Sequence, residues 1–97
     1  MADQSAYEMA RAGGRHAGLL RLYQAKSTTA IQRALRSYLR QVELHQQKIF
    51  IPEEYVRNWT ERSSRVQRAL LQHWQEDMIR NQELADIMRG ILQERGT

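Results

Sequence analysis

The chain has 97 residues and is basic, with 15 Lys and Arg against 11 Asp and Glu for a formal net charge of +4, and it contains no cysteine. That length fits one small domain. Disulfide staples and thiol chemistry are excluded, and four Met and three His supply no ligand cluster at metal spacing, so neither a metal nor another cofactor is expected.

A single Pro, few Val or Ile clusters, and long runs of Arg, Gln, Leu, Ala and Glu predict an all-α fold. The N-terminal stretch MADQSAYEMARAGG has no apolar core after a basic start, and nowhere does the sequence approach about eighteen consecutive apolar residues. The expectation is a soluble, cytoplasmic chain with no membrane partner. Asn58-Trp59-Thr60 matches a glycosylation acceptor, which without a signal peptide reads as chance.

The net charge hides its distribution. Residues 1–48 hold eight basic and three acidic side chains, and residues 49–97 hold seven basic and eight acidic. Between Glu8 and Glu43 there is no acid, yet seven basic residues fall there: Arg11, Arg15, Arg21, Lys26, Arg33, Arg36 and Arg40. Such polarity attracts phosphates or acidic protein surfaces.

In chain order, Asp3 is positioned to cap a short helix over Gln4 to Ala12, ended by Gly13-Gly14, although residues 1–12 are also where fraying is expected. Arg15 to Gln24 forms a second segment carrying Leu19, Leu20, Leu22 and Tyr23. Ser27-Thr28-Thr29 offers caps for a main helix over 28–50, Thr29 with Gln32 having the capping-box spacing. Its seam is Ile31, Leu35, Tyr38, Val42, His45 and Ile49, at spacings of 4, 3, 4, 3 and 4, as in a helix packed lengthwise on another. Arg33, Arg36 and Arg40 repeat on a different face. Pro52 ends this helix, and Pro52-Glu53-Glu54-Tyr55 suits a single helical turn through Asn58.

Ser63, or Ser64 with Gln67, caps a last helix over 62–95 with the stripe Val66, Leu70, Leu71, Trp74, Met78, Leu84, Ala85, Met88, Ile91 and Leu92. At about 48 Å it overhangs its partner of about 32 Å. Asn81 interrupts the stripe, either fixing register or lying exposed at a bend, and Gly90 suits a close helix crossing. The predicted architecture is a long antiparallel helical hairpin with one or two short N-terminal helices packed on it. Two long helices do not bury enough by themselves. The missing contact comes from the N-terminal helix or from a second copy on the overhanging end, which makes a homodimer an expectation.

No Ser/His/Asp order, phosphate-binding glycine loop or HExxH pattern is present. Gly13-Gly14-Arg15-His16-Ala17-Gly18 is the one loop with chemistry in it: Arg15 suits an anion and His16 a proton transfer near neutral pH. His45 lies on the seam, where it serves either as a bonded core histidine or as a second acid–base group. Together His16, His45 and Arg15 are the candidate catalytic set of a metal-independent nuclease. For nucleic-acid binding the candidates are Arg15, Arg21, Lys26, Arg33, Arg36 and Arg40. Tyr23 and Tyr38 lie near them in sequence but fit the core pattern.

Gly13-Gly14-Arg15-His16-x-Gly18, Tyr23, Ser27, Ile31, Ser37, His45-x-x-Lys48-Ile49-x-x-Pro52-x-x-Tyr55-x-x-x-Trp59, Trp74 and Gly90-Ile91-Leu92 resemble a small helical module of bacterial polymorphic-toxin C-termini and phage head-morphogenesis proteins. The likeness spans about residues 13–95. It implies a bacterial or prophage setting, and in a toxin it would make Arg15, His16 and His45 the polar motif. The expected function is an interaction module whose basic face binds nucleic acid or an acidic partner protein, the alternative being the nuclease.

Overall fold

A computed structural model describes residues 4–97, and every element among them is helical: α1 (Ala6–Arg11), α2 (Ala17–Gln24), α3 (Thr28–Phe50) and α4 (Ser64–Glu94), with 3-10 turns at Pro52–Glu54 and Trp59–Glu61. Asp3, the expected first cap, lies outside the described residues. Ser5 instead accepts the amide of Glu8 in front of α1. Ser27, rather than Thr29, caps α3 by accepting the Ala30 amide, and Ser63 caps α4 by accepting the Val66 amide. In each case the capping serine has extended backbone, which lets its hydroxyl reach forward to an amide otherwise left unbonded. Gln67 is not drawn into a capping box. It spends its amide on the Trp59 carbonyl at 2.8 Å and ties the preceding turn to α4.

Two helices stop on the same glycine device. Gly13 has φ 89 and Gly96 has φ 76, and the residue after each donates back, Gly14 to the Met9 carbonyl and Thr97 to the Leu92 carbonyl. A left-handed residue there costs glycine nothing and satisfies the last free carbonyls.

α3 and α4 pack along each other. Arg95 at the end of α4 donates to Thr28 at the start of α3, while His45 near the end of α3 lies against Asp77, much earlier in α4. The two ends of this pair are built differently. At the end holding the C-terminal half of α4, helices α1 and α2 join the pair, and Tyr7, Ala10, Leu20, Ile31, Leu84, Ile87, Met88, Ile91 and Leu92 make one buried cluster. At the other end α4 has only α3 and the Pro52–Glu61 connection beside it, and burial thins. Trp74 is buried and stacks on Trp59 with ring centroids 6.0 Å apart, yet Val66 of the expected stripe is exposed.

Ile87 was absent from that stripe although it is fully buried. With helices on more than one side, this half of α4 hides a wider arc than a two-helix contact requires. On α2 the buried leucine is Leu20, and Leu22 is exposed. Gly90 lies directly beneath the Tyr7 ring, where a Cβ would collide with the aromatic carbons. Asn81 is buried, and its amide donates to the Asp77 carbonyl one turn back on its own helix.

Candidate functional site

The candidate site is the outward face of α3. That helix turns Ile31, Tyr38 and His45 inward, and at about 100° per residue the 33, 36, 40 series falls on the opposite side. Arg33, Arg36 and Arg40 are all exposed, and among the described residues none forms an ion pair. Glu43, one turn beyond Arg40, is also exposed and unpaired. Arg21 on α2 is free in the same sense, and the Lys26 ammonium lies 5.6 Å over the Tyr23 ring. Free guanidinium groups retain the full hydration and field of an exposed charge, so they can exchange water or counterions for phosphate or carboxylate oxygens.

Glu83 Oε1 of α4 accepts Arg15 Nε at 3.0 Å and lies 3.2 Å from His16 Nε2. Asp86 Oδ2 accepts the Tyr7 amide at 3.0 Å, and Glu94 pairs with Arg11 at 3.0 Å. Three carboxylates of α4 thus hold the N-terminal segment in place. Arg95 completes the attachment from the same helix, donating to the carbonyls of Gln24 and Lys26 and to Thr28 Oγ1. No local spacing in the sequence marks Glu83, Asp86 or Arg95, because their partners lie 67 to 79 residues away.

The structure separates the candidate catalytic residues. His16 has φ 68 and leads into α2; it is a turn residue whose ring is clamped by Glu83 beside Arg15. His45 is buried on the α3–α4 seam. Its Nδ1 donates to the Gln41 carbonyl at 2.6 Å, and its Nε2 is 3.6 Å from Asp77 Oδ2, which His73 Nε2 approaches to 3.1 Å. The carboxylates serving His16 and His45 are six residues apart on α4, about 9 Å along the axis and roughly 120° around it. Arg15 and His16 are therefore neighbours at one carboxylate, and His45 belongs to another. The spacing of His73 and Asp77, four apart on one helix, was the available signal for the second cluster. Among the described residues no three His, Asp or Glu side chains are placed to hold a metal ion.

Two tyrosines show the burial of this framework. Tyr7 sits on Gly90 with its hydroxyl enclosed and lacking a partner in bonding geometry; burial first, and then the nearby Glu94 carboxylate, push its pKa up to about 12. Tyr38 is likewise pushed up to about 12 by burial and by the Tyr23 hydroxyl 3.4 Å away. Both tyrosines serve the core, which leaves arginine and lysine as the chemistry of the outer face. Among the described residues no helix is long and apolar enough to cross a membrane. No family model matches the chain, nor does any curated protein or solved structure compared with it.

Proposed function

We propose that the chain is an antiparallel helical hairpin serving as an interaction module, and that the outer face of α3 binds a polyanion, nucleic acid first and an acidic protein surface second. The single observation that carries this reading is the row Arg33, Arg36 and Arg40, exposed and, among the described residues, without an ion-pair partner. Arg21 and Lys26 extend the positive charge along the preceding helix and loop. Arg15 contributes less, because Glu83 already compensates it. The setting is bacterial or phage, following the likeness of the loop and seam residues to toxin and head-morphogenesis modules.

The test is binding of labelled single-stranded RNA and of duplex DNA at low salt, with every sample also run on a denaturing gel. Arg33→Gln, Arg36→Gln and Arg40→Gln together should weaken binding by tenfold or more, while His16→Ala and His45→Ala leave it within about twofold and the strands stay intact. Competition by polyglutamate in place of nucleic acid would make the partner an acidic protein. Strand cleavage that resists chelator and disappears with His16→Ala would replace this reading with the metal-independent nuclease built on Arg15, His16 and His45.

A further inference from the structure

The helix pair is longer and barer than a chain of this size requires. Its radius of gyration is 16.3 Å, against about 12.5 Å for a compact domain of 97 residues. Its accessible surface is 6870 Å², whereas a folded monomer of 11.5 kDa exposes about 5,800 Å². The surplus, about 1,000 Å², is close to the roughly 800 Å² that each partner buries in a standard interface.

The most exposed large apolar side chain, Phe50, lies at the end of the pair away from α1 and α2. There Phe50 is 85% exposed and Ile79 52% exposed, next to an open groove of about 370 Å³ lined by Gln46, Ile49, Phe50, Gln75 and Met78. No charged side chain lines that groove, although 27% of the chain is charged. Depletion of charge with aromatic and Met enrichment characterises the centre of a protein interface, and it offers nothing to a phosphate.

We infer that this groove is the interface with a second copy of the chain, formed by a two-fold axis that places Phe50 of each copy in the groove of the other. A two-fold contact requires one patch to carry both the projecting group and its receptor. Here Phe50 and the Gln46–Ile49–Gln75–Met78 recess are adjacent. The rims agree in charge. Glu43 lines the neighbouring recess on α3, and Arg68, two turns before Gln75, flanks the groove on α4. Neither forms an ion pair among the described residues. Setting α3 of one copy over α4 of the other brings these opposite charges together. The groove lies toward the Phe50 end of α3, beyond Arg33, Arg36 and Arg40.

The experiment is sedimentation equilibrium of the full chain across micromolar concentrations, with circular dichroism on each variant to confirm helix content. The expected mass is twice that of one chain, and Phe50→Glu should raise the dissociation constant at least a hundredfold without loss of helix. Arg36→Gln, on the outer face, should leave the dimer unchanged, and Glu43→Arg should weaken it until Arg68→Glu restores it. A single-chain mass at every concentration would overturn the inference. A dimer indifferent to Phe50→Glu would overturn it equally, by placing the contact elsewhere.

Discussion

Gly90 is the residue whose replacement tests the packing of the N-terminal segment most sharply. A Cβ there falls among the ring carbons of Tyr7, and Tyr7 is itself buried, so the ring has no free space to retreat into. Overpacking of this kind costs about 1–3 kcal/mol. Alanine also gains about 1 kcal/mol over glycine as a helix former. In the otherwise native chain Gly90→Ala should therefore destabilise by about 0–2 kcal/mol, from the difference of those two effects. With Tyr7→Ala already present the collision is gone, and the same substitution should stabilise by about 1 kcal/mol, raising the melting temperature by about 4–8 °C for a chain this small. The sign should reverse. Urea unfolding followed by far-ultraviolet circular dichroism on the four members of the cycle measures it. Equal gains in both backgrounds, coupled by less than about 0.5 kcal/mol, would refute the placement of Tyr7 on Gly90.

His16 holds a left-handed conformation, which costs an L residue about 1–2 kcal/mol, so His16→Ala should destabilise by about 1 kcal/mol through loss of the Glu83 contact, while His16→Gly should be near neutral in urea unfolding. Arg95→Ala removes three donations to the α2–α3 connection and should cost about 1–2 kcal/mol, with faster amide exchange at Lys26 and Ala30. Tyr7 and Tyr38, each pushed up to about 12, keep their protons in the folded chain at a pH where unfolded tyrosines lose them. Their contribution is whole below the unfolded value of about 10. It is lost between about 10 and 12, since there the unfolded chain binds fewer protons and stability falls as pH rises. Tyrosinate absorbance should show two of the four tyrosines ionising only with that loss.

The α3 seam was legible because its spacing follows one lengthwise contact: Ile31 and His45 are buried, and Leu35, Tyr38, Val42 and Ile49 are half-buried. The ends of the four α-helices were legible to within a residue or two, since serine caps and glycine stops act on their immediate neighbours, whereas the turn expected through Asn58 stops at Glu54 and Asn58 takes a left-handed φ of 57. Ile87 escaped because its burial depends on helices arriving from the other end of the chain. Asn81 is not exposed at a bend: it is buried, and its own helix supplies the acceptor its amide needs. The arginine row could be read from spacing alone, but its freedom from acids could not. That freedom depends on the row facing away from α4 and on Glu43, the one acid of α3, forming no ion pair among the described residues. The separation of His16 from His45 was hidden because each is fixed by a different carboxylate of α4.

The most direct measurement is the salt dependence of duplex DNA binding for the native chain and for the variant with Gln at 33, 36 and 40. If Arg21, Lys26, Arg33, Arg36 and Arg40 each meet a phosphate, the log–log slope is about −4.5, and removing the three outer arginines leaves about −1.8. A slope that is the same for both proteins, or no binding at low salt, would contradict the assignment of that face.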